Sequence, residues 1–130
     1  MKQIYIAGPM TGIKDMNFPA FNAETKRLRA LGYDVVNPAE IVTDKTTPWN
    51  IAMRKDIIAL MACDTIVFLV GWENSKGAWI EYKLGHDLGM KCFKENEIRI
   101  HKYQVNEETR CCYCGLMVTN MIQHRKYCKA

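Results

Sequence analysis

The stretch TIVFLVGWENSKGAWIEYKLGHDLGMKCF, residues 65–93, decides the fold. TIVFLV, residues 65–70, has the unbroken apolar character of a strand covered on both faces. Gly71 ends it, and SKGAWIE, residues 75–81, turns into a helix that runs to about Gly89. Ile80, Leu84 and Leu88 recur at i, i+4 and i+8 and are expected to face the core. MKCF, residues 90–93, then begins another strand. A covered strand, a helix and a second strand imply a right-handed crossover in a parallel sheet.

The chain before this unit repeats the pattern. QIYIAG, residues 3–8, reads as a buried strand, followed by a glycine-bearing loop. Pro19 suits the first turn of a helix with Phe21, Leu28 and Leu31 on its apolar side, and Gly32 suits its C′ position. YDVVNP, residues 33–38, is a short strand stopped by Pro38. Thr47-Pro48 opens another helix, with Ile51, Ile58 and Met61 expected in the core. The fold class is therefore α/β, a doubly wound, flavodoxin-like parallel sheet of four to five strands. Ligands on such sheets bind beyond the carboxyl ends of the strands. Three loops converge there: GPMTG, NPAE and GWENSKGAWIE.

The chain has 130 residues, 48% hydrophobic and 25% charged, as expected of a soluble globular protein. No apolar run reaches the roughly 20 residues of a membrane span, and the N-terminal apolar stretch is too short for a signal peptide. A cytoplasmic location without membrane contact follows as an expectation. The net charge of +4 is uneven. Residues 1–98 hold 12 basic and 12 acidic side chains, so the whole excess lies in residues 99–130. Cys111, Cys112, Cys114 and Cys128 are also concentrated there. Two modules with different jobs are implied: an α/β domain over 1–98, a linker over 99–108 and a small module over 109–130.

Glu81 is expected in the first turn of its helix, where the positive end of the helix dipole favours an ionised carboxylate, the form a nucleophile needs. Ser75 and the amides around Gly77 can bind an anion such as phosphate at the same helix start. Spacing alone leaves two readings open, a nucleophile or a carboxylate that simply suits a helix start. Tyr5 on the first strand reads equally as a core hydroxyl, and Asp56 as a solvated helix residue. Phe18, Phe21 and Trp49 are either core residues or stacking partners for a base. Neither a Walker phosphate loop nor a dinucleotide fingerprint is present.

IYIAGPMTG, FPAFN…LRALGYDVVNP and DIIALMACDTIVFLVGWENSKGAWIEYKLGHDLGMK together resemble the nucleoside 2-deoxyribosyltransferase-like superfamily, over roughly residues 1–93. Its small phage- and bacteria-associated branch is the most similar, and the superfamily includes 2′-deoxynucleoside 5′-monophosphate N-glycosidases. The resemblance implies that Glu81 is the nucleophile, that Tyr5 assists it and that Asp56 stands near the departing base. It implies a substrate-binding set of Gly8, Met10, Thr11, Gly12, Ser75 and Gly77. A serine six residues before the glutamate marks the nucleotide-cleaving members, where nucleoside users carry aspartate; here the residue is Ser75. The implied activity is cleavage of the N-glycosidic bond of (deoxy)nucleoside 5′-monophosphates through a glycosyl-glutamate, ending in hydrolysis or base transfer. A homodimer or higher homo-oligomer is implied too, because family enzymes often complete their sites with a neighbouring subunit. A bacterial or phage-encoded protein in a host cytoplasm fits the branch. Against the pattern, KENEIRIHKY, residues 94–103, replaces a clear fifth strand and helix. That shortening keeps a second reading open, a non-catalytic nucleotide-binding or nucleic-acid-binding adaptor on the same fold.

The tail carries Cys111-x2-Cys114 and His124-x3-Cys128, each pair at the spacing of structural zinc ligands. The four residues are expected to hold one structural Zn²⁺, resembling small Cys-Cys-His-Cys fingers; no cofactor is expected in catalysis. Lys102, Arg110, Arg125 and Lys126 offer weak contacts to nucleic-acid phosphates, or the finger docks on the body or mediates oligomer contacts.

Overall fold

The computed structural model describes residues 3–102. Strand β1 (Gln3–Ala7) is followed by helix α1 (Phe18–Ala30), strand β2 (Asp34–Val36), the single-turn helix α2 (Pro38–Ile41), helix α3 (Trp49–Leu60), strand β3 (Thr65–Phe68), helix α4 (Lys76–Asp87) and strand β4 (Lys91–Lys94). The four strands form one parallel sheet in the order β2-β1-β3-β4. Doubly wound α/β architecture is therefore what the chain adopts.

Side-chain alternation on the buried strands sorts the core into two layers. Ile4, Ile6 and Val67 point to the α1 side and pack with Phe21, Leu28, Val35 and Phe93. Tyr5, Ala7, Ile66 and Phe68 point to the other side, with Leu60 and Cys63. Pro19 lies in the first turn of α1, and Gly32 follows the helix end with φ of +91°, a left-handed conformation open to glycine.

The outer helices present different faces from those the apolar spacing suggests. Ile51, Ile58 and Met61, expected in the core, are exposed at 43%, 74% and 45%. On α3 the buried residues are Met53 and Leu60. On α4 they are Gly77, Ala78, Glu81 and Gly85, while Leu88 is 61% exposed. A face of small residues lets α4 lie close to the sheet. Ile51 and Ile58 of α3, Trp79 of α4 and Leu88 at the α4 C-cap are turned away from it.

After β4 the chain does not form another βα unit among the described residues. It runs back along α1 and fills the first core layer with Ile98, which is fully buried. Arg27 Nη1 donates to the Ile98 carbonyl at 2.6 Å, Tyr33 Oη to that of Ile100 at 2.8 Å, and the Lys102 amide to that of Leu31 at 2.8 Å. Residues 103–130, with Cys111, Cys114, His124 and Cys128, the residues expected to bind zinc, lie outside the described residues. Among the described residues no helix is long and apolar enough to cross a membrane.

Candidate active site

A cavity of about 320 Å³ opens beyond the carboxyl ends of β1 and β3. Tyr5, Ile6 and Gly8 come from β1 and its exit, Met10 and Thr11 from the following loop, and Phe21 from α1. Trp49, Ala52, Met53 and Asp56 form the α3 wall; Ser75, Gly77, Ala78 and Glu81 form the α4 wall. Met16, Pro38, Lys45 and Thr47 complete the lining. Of the residues singled out from sequence, Tyr5, Gly8, Met10, Thr11, Asp56, Ser75, Gly77 and Glu81 are all brought together here. Gly12 is not among the lining residues; it sits exposed at a turn with φ of +82°.

Glu81 is the sixth residue of α4, not a first-turn residue, and it is 5% exposed. Tyr5 Oη donates a hydrogen bond to Glu81 Oε2. Burial pushes the Glu81 carboxyl up to about 8; the nearby Asp56 adds to the rise, and the hydrogen bond from Tyr5 opposes it. Burial thus works against the expected ionised carboxylate at neutral pH. The helix dipole supplies ~0.3–1 kcal/mol, less than one pKa unit, and acts mainly on the first turn. Burial in the second turn outweighs it. Tyr5 itself is held well above the ordinary phenol range by burial, then by Glu81 and Asp56, and stays neutral.

Asp56 faces the same space, and burial alone pushes it up to about 7. Its Oδ1 is buried with no hydrogen-bond partner. Two carboxyls with raised pKa values, one held by a neutral phenol and one unanswered, face a single cavity. That is the arrangement in which one carboxyl can act as nucleophile and the other as proton donor.

Ser75 caps α4: its Oγ accepts from the Ala78 amide at 3.2 Å. The Trp79 amide reaches the Ser75 carbonyl at 3.1 Å, so only the amides of Lys76 and Gly77 lack an acceptor within the helix. The Ser75 hydroxyl proton remains available to a ligand. A Cβ on Gly77 would lie 3.1 Å from Met53 Sδ, so the absence of a side chain lets α3 and α4 meet at the cavity wall. Lys76 Nζ lies 4.7 Å from the Trp49 ring centroid. Phe21 is 1% exposed and belongs to the core layer as well as to the lining.

Sequence reasoning missed Met16, Lys45, Thr47, Ala52 and Met53 as lining residues, while Pro38 lies in the NPAE loop expected at the ligand side. The available signal was the continuation of the NPAE loop into VTDKTTPW, residues 42–49. It leaves the carboxyl end of β2 and therefore belongs to the ligand side of the sheet. Asp44 fixes its shape, accepting from the Thr46 amide at 2.9 Å and the Thr46 hydroxyl at 2.6 Å.

A family model described as a domain of unknown function (DUF4406) matches residues 2–94. No curated protein matches the chain. Among solved structures, a 2-deoxyribosyltransferase from the psychrotolerant bacterium Bacillus psychrosaccharolyticus is similar in fold. The two are 17% identical, with a TM-score of 0.58, over 97% of this chain and 92% of that one.

Proposed function

We propose that this chain, which belongs over residues 2–94 to the DUF4406 family, a domain of unknown function, is a nucleotide N-glycosidase or deoxyribosyltransferase acting on (deoxy)nucleoside 5′-monophosphates. The observation that carries this reading is the buried Glu81, held by Tyr5 and facing Asp56 across a cavity of nucleotide size. The fold likeness to a 2-deoxyribosyltransferase supports the same reaction class.

A Glu81 oxygen attacks C1′, and the C1′–N bond breaks with its electron pair passing to the base nitrogen. Asp56 in its protonated form gives that nitrogen a proton. A glycosyl-glutamate results, as in retaining glycosidases. Water or a second base then attacks C1′, the C1′–O bond to Glu81 breaks with its electron pair returning to the carboxylate, and Asp56 takes up the proton that the attacking group loses. Tyr5 holds the carboxyl in line for attack and stays neutral throughout. The 5′-phosphate sits at the α4 start, taking hydrogen bonds from the Ser75 hydroxyl and the Lys76 and Gly77 amides. The protein carries out this chemistry with side chains alone.

Base release followed by chromatography, over matched nucleosides and 5′-monophosphates, tests the substrate class. Monophosphates should turn over and nucleosides barely. Equal turnover of both would remove the phosphate assignment, and no base from any substrate would remove the enzyme. Adding a labelled second base separates hydrolysis from transfer.

Two further parts of the reading concern assembly and the tail. The exposed Ile51 and Ile58 of α3 and Trp79 of α4, with Met61 and Leu88 capping the ends of those helices, support a homodimer or higher homo-oligomer packed through these helices. Ile58→Glu should then lower the mass seen by sedimentation to that of a monomer; an unchanged mass contradicts it. Cys111, Cys114, His124 and Cys128 are proposed to bind one structural Zn²⁺, leaving a basic surface for weak nucleic-acid contact. Elemental analysis of metal-replete protein should find one zinc per chain, and finding none removes the ligand assignment.

A further inference from the structure

Among the described residues lining the cavity, Lys45 is the only one with a basic side chain. It stands in the loop that follows β2 and α2, whereas Ser75 opens α4 after β3. β1 lies between those two strands, and its Tyr5 holds Glu81. Strands two apart are separated by about 10 Å, close to the distance between the phosphate and the base of a nucleotide. The two ends of the cavity are thus chemically different. At the β3 end are a hydroxyl and two free helix amides; in the middle is the carboxyl that would meet C1′. At the β2 end is Lys45, which shares the lining with the apolar Phe21, Pro38 and Met16.

We propose that Lys45 reads the base, selecting bases that present a carbonyl acceptor at their outer edge and stabilising the negative charge left on the base as it departs. The inference rests on the nucleotide reading above. With phosphate at Ser75 and C1′ at Glu81, the base must extend toward β2. An ammonium group donates and cannot accept, so it suits an oxo edge and opposes an amino edge. When the C1′–N bond breaks, its electron pair moves onto the base. A fixed cation there is worth more in the transition state than in the bound substrate. Lys45 keeps its own proton; Asp56 or water supplies the one the base takes up.

Lys45 is held by groups a ligand can replace. Its ammonium lies 3.6 Å from Asp15 Oδ1 and 5.2 Å from the Phe18 ring centroid. Both charged side chains are about half exposed, so the pair is weak. Asp15 belongs to a run of three left-handed residues, Asp15, Met16 and Asn17, with φ of 54°, 53° and 61°. Such a conformation is unfavourable for methionine, and Met16 lines the same cavity as Lys45.

The experiment compares the wild type with Lys45→Met, Lys45→Arg and Asp15→Asn on two probes that differ only at the base edge, 2′-deoxyinosine and 2′-deoxyadenosine 5′-monophosphate. Base release gives kcat/KM, and calorimetry on the Glu81→Gln form gives Kd independently of turnover. The wild type should favour the oxo probe. Lys45→Met should lose about 10- to 100-fold on that probe and much less on the amino probe, by the usual cost of one charged hydrogen bond. Lys45→Arg should keep most of the preference, and Asp15→Asn should tighten the oxo probe. Equal losses on both probes, or none in either kcat/KM or Kd, overturn the role of Lys45. A wild type that binds the probes without releasing base removes the enzymatic reading, while the Kd comparison still decides whether Lys45 reads the base.

Discussion

Two glutamates are almost equally hidden in this protein and are treated in opposite ways. Glu24 on α1 is 3% exposed and Glu81 on α4 is 5% exposed. Arg27 grips Glu24 with two hydrogen bonds, of 2.7 and 2.8 Å, and the Asn96 amide adds a third at 3.0 Å. The same guanidinium reaches the Ile98 carbonyl, so this carboxylate ties the returning chain to α1. Glu81 has a neutral tyrosine hydroxyl in place of a guanidinium, a second carboxyl near it and an open cavity in front. A buried charge that is answered on every side is structural. A buried carboxyl left short of partners next to an open space costs stability, which a scaffold alone does not require.

The sharpest way to break this contrast is to neutralise each glutamate in turn. Glu81→Gln keeps the size and the acceptor for Tyr5 but removes the attacking oxygen's charge. Base release should fall by at least ~10³-fold with the fold intact, a loss typical of removing a nucleophile. Glu24→Gln should leave turnover within about threefold and lower stability by about 2–3 kcal/mol. That is below the cost at a fully buried pair, because the Arg27 side chain is 28% exposed. Steady-state base release and denaturant melts of both variants measure the four quantities. Loss of turnover in both variants in proportion to stability would erase the distinction.

A smaller effect is expected at Ser75, where a structural and a binding role share one oxygen. Ser75→Ala should weaken monophosphate use roughly 10- to 150-fold through one lost charged hydrogen bond. It also removes the α4 cap, at about 1 kcal/mol of stability. Ser75→Asp separates the two, since aspartate still caps the helix while repelling phosphate. It should keep the melting temperature and lose the monophosphate preference in kcat/KM. A Ser75→Asp protein that still prefers monophosphates would move the phosphate elsewhere.

The smallest effect is in the pH profile. The reactive form needs Glu81 ionised and Asp56 protonated, although burial holds Glu81 up to about 8 and Asp56 up to about 7. The rising limb of kcat/KM belongs to Glu81 losing its proton and the falling limb to Asp56 losing its own. These limbs are coupled and cross. The profile should peak between about pH 7 and 8 and fall about tenfold per unit on either side. Asp56→Asn should abolish the falling limb, so that the residual rate keeps rising past pH 8. An acidic optimum near 4–5 would mean that neither carboxyl is shifted in the working enzyme.

The sequence made the alternation of strands and helices readable, because β1 and β3 are short unbroken apolar runs and Pro19, Gly32 and Pro48 punctuate the helices. Helix faces were less legible. Ile51, Ile58 and Leu88 fit an inward stripe as well as an outward one, and the spacing of apolar residues does not say which face meets the sheet. The small-residue face of α4, with Gly77, Ala78 and Gly85, is visible only as a packing result. The assembly of Tyr5, Asp56, Ser75 and Glu81 came from resemblance and topology, while the charge state of Glu81 depended on a burial that spacing does not report. Lys45 was missed because its loop carries no motif and joins the site only through the position of β2.

The claim that Glu81 is the attacking group is tested most directly by quenching the protein in acid during turnover of its best monophosphate and mapping the peptides by mass spectrometry. The account predicts a sugar phosphate attached to the peptide that carries Glu81, absent from Glu81→Gln. Steady base release with the sugar attached to another residue, or with no adduct even on a slow substrate, would contradict it.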